Sequence, residues 1–340
     1  MNTETVISAR NLSVGYRKGK SVRPVLKNIN LEISAGELVC LAGANGIGKS
    51  TLLKTLAGLL PAISGQVFLV NIPLKNYQRQ DIARILSIVL TGKIPSANLT
   101  AREVIALGRY PFTNWMGTLS AEDKRKVNEA IEITGTGELQ SRKIYELSDG
   151  QFQKVLIARA LAQDSEIILL DEPTAHLDLE NKISVLKLLR DLTLKTSRAI
   201  LITTHELELA FRVSDRIILL KDSFNFETGT PEDLVLNGNI SRFINGNVAY
   251  FDPETGKFMP VKKTGEYNIM LKGSGISLTW TKNGLERNGF NISDEGFIAT
   301  VEVKMTENDL FWIIENQKQK EIVHSFGEVI TTLKKLLSNV

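Results

Sequence analysis

Gly43-Ala44-Asn45-Gly46-Ile47-Gly48-Lys49-Ser50 spells G-x-x-x-x-G-K-S, a spacing with a definite chemistry. Glycines let the backbone wrap an anion with its N–H groups pointing inward, and a helix beginning immediately afterwards adds its dipole to the attraction. Lys49 would reach the β- and γ-phosphates of a nucleotide, and Ser50 would offer a hard oxygen to Mg²⁺. The context fits. An apolar run at 37–42 reads as the strand before the loop, and Leu52, Leu53, Leu56, Leu59 and Leu60 fall at helical spacing after it, so that Thr51 opens a helix over 51–60. Such a loop implies nucleotide handling, yet alone it does not choose among NTPases.

A second candidate lies 122 residues beyond Lys49. Ile167-Ile168-Leu169-Leu170-Asp171-Glu172-Pro173 is an apolar strand ending in two carboxylates. That puts Asp171 at the C-terminal edge of a sheet, where ligands of open α/β sheets gather. Asp171 is the expected partner of Mg²⁺, and Glu172 is the group expected to polarise or position a water in line with the γ-phosphate.

The elements that must carry these groups follow the same logic. Up to about residue 245, short apolar strands (67–70, 167–170, 199–203 and 216–221) alternate with helical patterns, which predicts an α/β core with a parallel sheet. Helices expected at 102–108 and 121–134, the second opened by Ser120 with Asp123 three residues on, argue for an inserted helical subdomain over about 92–160. Beyond Tyr250, Pro253, Gly256 and Pro260 mark a junction. Strands expected at 266–272, 297–305 and 309–314, with an amphipathic helix at 326–337, form a small C-terminal α+β unit. The expected division is 1–246 and 247–340.

Composition bounds the rest. The 340 residues suffice for about two domains. A net charge of +3 gives no strong field for nucleic acid or anionic lipid. No apolar run approaches the roughly 20 residues that span a bilayer, and residues 1–10 lack the apolar core of a leader, so a chain neither secreted nor membrane-spanning is expected. The single cysteine, Cys40, excludes an internal disulfide and reads as a small buried strand residue.

Leu147-Ser148-Asp149-Gly150-Gln151, followed by a helical pattern at 152–162, makes the resemblance specific: the chain resembles an ABC-transporter ATPase subunit over residues 4–250. The family signature reads Leu-Ser-Gly-Gly-Gln, so Asp149 stands where the family has Gly. The resemblance implies a phosphate-loop NTPase (ABC ATPase) core, ATP and Mg²⁺ as cofactors, and a head-to-tail homodimer in which Ser148, Gly150 and Gln151 approach the γ-phosphate held by the other subunit. An acidic side chain at 149 would oppose that anion unless it points away. Tyr16 matches the aromatic residue that stacks on adenine, residues 175–178 the loop that couples the two sites, and His205 the switch histidine at the γ-phosphate. His176 and His324 read as structural.

One element departs from the pattern. Where the family has a glutamine that bonds Mg²⁺ and the attacking water, this chain has Thr91, whose shorter hydroxyl favours contact through a bridging water. Residues 98–111 resemble the permease-facing segment of ATPases that serve importers of ferric siderophores, haem and cobalamin. The resemblance therefore implies an importer subunit on the cytoplasmic face of the membrane. Its partners would be integral-membrane permeases and, indirectly, a substrate-binding protein, with no nucleic acid. An exporter motor and a soluble ABC ATPase remain as alternatives, and the tail is open to a regulatory or dimerising role.

Overall fold

The computed structural model describes residues 4–19, 21–91, 98–114, 116–243, 249–261, 265–306, 309–317 and 319–338. The first six residues of the expected helical subdomain and the expected boundary at 246/247 lie outside them. Two compact units emerge, residues 1–245 with 251–258, and residues 246–250 with 259–340.

The first unit begins with two long strands, β1 (Thr5–Lys18) and β2 (Ser21–Ser34), paired antiparallel. Then come β3 (Leu38–Gly43), the phosphate loop and α1 (Lys49–Leu56). β4 (Ser64–Leu69), β5 (Ile72–Pro73), α2 (Arg79–Ile85) and β6 (Leu86–Val89) follow. The helical insertion contains α3 (Ala101–Ala106), a 3-10 turn at Leu107–Phe112, α4 (Ala121–Thr134) and α5 (Asp149–Ala162). The chain returns to the sheet with β7 (Ile167–Leu170), α6 (Leu179–Thr196), β8 (Ala199–Thr204), α7 (Leu207–Val213), β9 (Arg216–Leu220) and β10 (Phe226–Gly229). Short helices α8 (Pro231–Leu236) and α9 (Asn239–Phe243) and the paired strands β11 (Ala249–Asp252) and β12 (Lys257–Pro260) come next.

Two sheets organise this unit: an antiparallel one ordered β2-β1-β4-β5, and a six-stranded one ordered β10-β9-β3-β8-β7-β6. In the second, β9, β3, β8, β7 and β6 run parallel and β10 is antiparallel. Alternation along each parallel strand feeds two separate cores. Leu38, Cys40, Ala42, Ile168, Leu170, Ile200 and Ile202 face the core that includes α5 and α6. Val39, Leu41, Ile167, Leu169 and Leu201 face the one shared with β1, β2 and α1. Cys40 is buried, and desolvation raises its thiol pKa to about 12, so it is an inert packing residue.

The helix expected at 51–60 starts two residues earlier and stops at Leu56, because Gly58 takes φ 73° and ends the helical run. The helix expected at 102–108 stops at Ala106, since Pro111 and the 3-10 turn take over.

The second unit holds β13 (Tyr267–Lys272), α10 (Gly275–Arg287), β14 (Phe290–Ile292), β15 (Phe297–Met305), β16 (Leu310–Glu315), β17 (Lys320–Val323) and α11 (Phe326–Ser338). Its sheet is ordered β14-β13-β15-β16-β17, and its core joins Ile269, Leu285, Val301, Trp312, Val329 and Leu333. Trp312 Nε1 donates to Thr281 Oγ1 at 2.8 Å, giving the buried indole its partner.

Candidate functional site: a nucleotide cleft at the carboxyl ends of the parallel strands

The phosphate loop leaves β3 with Gly46 at φ 78° and Gly48 at φ 120°, and Gly48 caps α1. A Cβ on Gly48 would lie 2.5 Å from Val25 Cγ1, so both conformation and space demand glycine there. No side chain caps α1, whereas Thr100, Ser120, Ser148 and Asp178 cap α3, α4, α5 and α6. The uncapped end leaves its amide N–H groups to an anion. Lys49, almost fully buried, donates to the carbonyls of Gly43 (2.9 Å) and Ala44 (3.1 Å) and lies 3.6 Å from Glu172 Oε1.

Three hydroxyls, from α1, from β8 and from just beyond β6, converge on Asp171, which is 3% exposed. Ser50 Oγ (2.8 Å) and Thr203 Oγ1 (2.8 Å) donate to its Oδ1, and Thr91 Oγ1 (3.2 Å) to its Oδ2. Glu172 follows in left-handed backbone at φ 46°, its N–H donating to Thr203 Oγ1 at 2.8 Å. Such a conformation costs a non-glycine residue about 1–3 kcal/mol and persists only where its surroundings hold it. Glu172 Oε2 lies 3.7 Å from His205 Nδ1. A cleft of about 650 Å³ runs over the loop, lined by Tyr16, Gly46, Ile47, Lys49, Thr51 and Glu172, among others. Tyr16 is half exposed and its hydroxyl is 3.1 Å from Thr51 Oγ1. Asn45 lies exposed within the loop.

Ser50, Asp171 and Thr91 offer only hard oxygens, and among the described residues no cluster of three or more His, Cys, Asp or Glu exists to hold a metal. That donor set suits Mg²⁺, which takes one or two protein oxygens and fills its octahedron with phosphate and water. Thr91 reaches Asp171 directly by its hydroxyl.

The expected signature residues stand apart from this cluster in hydrogen bonding. Ser148 Oγ accepts from Gln151 N (3.3 Å) while Ser148 N donates to Gln151 Oε1 (3.1 Å), a closed capping box at the start of α5. Ser148 and Asp149 are exposed, and Gly150 is buried against Asn181. His176 is exposed at φ 64°, and His324 is exposed beside Asp309, so neither contributes to a core.

Residues 26–175 match the family model described as ABC transporter, and residues 266–334 match the one described as iron ABC transporter C-terminal domain. An iron(3+)-hydroxamate import ATP-binding protein of Bacillus subtilis is 37% identical over 229 residues, 67% of this chain and 84% of that protein. The chain belongs to the ATP-binding subunits of ABC transporters. It is, as such, a nucleotide-binding ATPase with an ABC cassette fold. A cobalamin import ATP-binding protein of Halobacterium salinarum is 34% identical over 276 residues, 79% of this chain and 69% of that protein. A dimeric bacterial ABC transporter cassette superposes with a TM-score of 0.58 at 30% identity, covering 66% of this chain and 98% of that one.

Sequence reasoning missed Thr203 and the wall made by Arg23, Pro24, Val25, Asp222 and Ser223. Thr203 sits in an apolar strand, where Thr reads as a β-branched filler. The wall comes from β2 and the β9–β10 turn, which no local pattern joins to the loop.

Proposed function

We propose that this chain is the ATP-hydrolysing subunit of an importer for iron chelates or cobalamin-type ligands. The observation that carries the catalytic part is the convergence of Ser50, Asp171 and Glu172 beside Lys49 at the mouth of an uncapped helix. The substrate class rests on the import activities of the relatives and on the iron-transporter match of the C-terminal unit.

In this reading the amides of residues 43–51 and the Lys49 ammonium hold the phosphates, and Tyr16 stacks on the base. Ser50 and Asp171, with Thr91, would hold Mg²⁺, which when bound neutralises charge on the β- and γ-phosphates. Glu172 positions the attacking water and accepts its proton, while His205 faces the γ-phosphate with its Nδ1 3.7 Å from Glu172 Oε2. Ser148, Gly150 and Gln151 act on the nucleotide of a second copy in a head-to-tail dimer. ATP closes that dimer because it touches both subunits only when closed, and hydrolysis reopens it.

The helical insertion exposes Leu107, Tyr110 and Met116, which suits the receipt of a permease segment. The subunit then works at the cytoplasmic membrane face, with a substrate-binding protein acting through the permease. No helix of the described residues is long and apolar enough to cross a membrane.

The test is Glu172→Gln. It is expected to lower ATP turnover by at least about 10³-fold, the scale of losing a general base, and to accumulate an ATP-bound dimer on sizing chromatography. Turnover at the wild-type rate, or a variant that remains monomeric with ATP while the wild type dimerises, would refute the reading.

A further inference from the structure

Thr203 is fully buried on β8, and its side-chain oxygen bonds two neighbouring residues at once. As donor it gives its proton to Asp171 Oδ1 at 2.8 Å, and as acceptor it takes the Glu172 N–H at 2.8 Å. One hydroxyl has one proton to give and lone pairs to receive, so both bonds form together. The geometry follows from strand lengths. β7 ends at Leu170, paired with Ile202, while β8 runs on to Thr204. At Glu172 the chain turns to φ 46° and leaves the ladder, so its amide has no strand partner. Thr203 supplies one from the side.

We infer that Thr203 is a positioning residue for ATP hydrolysis, fixing the Asp171 carboxylate and the Glu172 backbone relative to each other. The inference rests on the roles proposed above for Asp171 and Glu172. Asp171 Oδ1 receives protons from Ser50 and Thr203 together, which sets the rotation of the carboxylate that Ser50 shares. The Glu172 amide bond sets where that side chain leaves the backbone, between Lys49 and His205. Removing the oxygen frees both, and a misplacement of about 1 Å in such a site costs up to about 100-fold in rate.

Three variants of the full chain separate this from simple packing. Thr203→Val keeps the shape and loses the oxygen, Thr203→Ser keeps the oxygen and loses the methyl, and Thr203→Ala loses both. The rate at saturating ATP and Mg²⁺ is expected to fall about 10-fold or more in Val and Ala and to stay within about threefold of wild type in Ser. Binding of a fluorescent ATP analogue supplies a readout independent of turnover. In EDTA its affinity stays within about twofold of wild type in all three, whereas the Mg²⁺ concentration giving half of the Mg²⁺-dependent gain rises several-fold in Val and Ala only.

Losses that follow the methyl, with Ser and Ala impaired and Val normal, overturn the inference, as do wild-type rates and Mg²⁺ midpoints in Val and Ala. Glu172→Gln run alongside separates the two levels. If it is inactive while the Val variant behaves as wild type, only the role of Thr203 fails. If it hydrolyses ATP normally, the site reading falls and this inference with it.

Discussion

The two ends of the cassette that would meet a nucleotide are built in opposite ways. Around the phosphate loop, three hydroxyls from α1, β8 and the end of β6 converge on a buried carboxylate, and the helix behind the loop begins with no side-chain cap. At the start of α5 the reverse holds: Ser148 and Gln151 satisfy each other, and among the described residues the exposed surface there makes no hydrogen bond to the rest of the site. The far end of α5 is fixed instead. Arg109, 5% exposed, donates to Asp123 Oδ1 at 2.8 Å and to the Ala162 carbonyl at 2.9 Å, with its guanidinium 4.0 Å over the Phe112 ring. One region is preorganised within the chain, and the other is a rigidly mounted helix with its tip presented outward. A site divided in this way suits a nucleotide completed by a second copy.

The largest expected effect falls on the preorganised side. Lys49→Ala removes the buried cation and is expected to weaken ATP binding about 100-fold or more in calorimetry, while leaving the α5 tip untouched. Binding at near wild-type strength would mean that the loop amides suffice and that the contrast is overstated.

The next largest tests the mounting of α5. Burial acts against the Asp123 charge, but hydrogen bonds from Ser120 and Arg109 outweigh it and hold the carboxyl below its usual pKa. A depressed folded-state pKa gives stability that is present above the unfolded value of about 4 and is lost as pH falls through the folded one. Asp123→Asn is expected to cost about 2 kcal/mol at pH 7 in urea unfolding, the gap to wild type closing below about pH 4. A gap constant with pH would show that the carboxylate is not what secures the helix.

The smallest concerns the departure at 149. Asp149 is exposed in the first turn of α5, where its charge favours the helix dipole of its own subunit yet would repel an anion brought by another. Asp149→Gly is expected to raise ATP-driven dimerisation and turnover by about three- to fivefold, the scale of one exposed helix-end charge, with no change in ATP affinity measured in the monomer. A change in monomer affinity would blur the division between the two regions.

Much of this was readable because the chemistry is local. The loop from Gly43 to Ser50, the strand ending in Asp171-Glu172 and the signature at 147–151 each need contiguous residues with fixed spacing, so each leaves a pattern. The capping box at Ser120 and the strand Ile167–Leu170 fall where that pattern puts them. Helix α10 did not show itself. It contains Thr279, Thr281, Asn283 and Gly284, all poor helix formers, and Gly284 is required because a Cβ there would lie 2.3 Å from the Phe326 ring. Strand β17 is four residues long and mostly exposed, too short for alternation to register.

The sequence by itself determined that the chain carries a phosphate loop, that the carboxylates of Asp171 and Glu172 lie at a strand end, and which cassette family supplies the frame, because backbone curvature and capping are decided within a few residues. Only the tertiary structure decided that Thr91 and Thr203 share Asp171, that Glu172 departs from the sheet at φ 46° with its amide held from β8, and that Arg109 anchors the far end of α5. Those facts depend on which strands become neighbours and on how far each runs. Residues 32 and 53 positions apart carry no mutual pattern until the sheet and the helical insertion bring them within 3 Å.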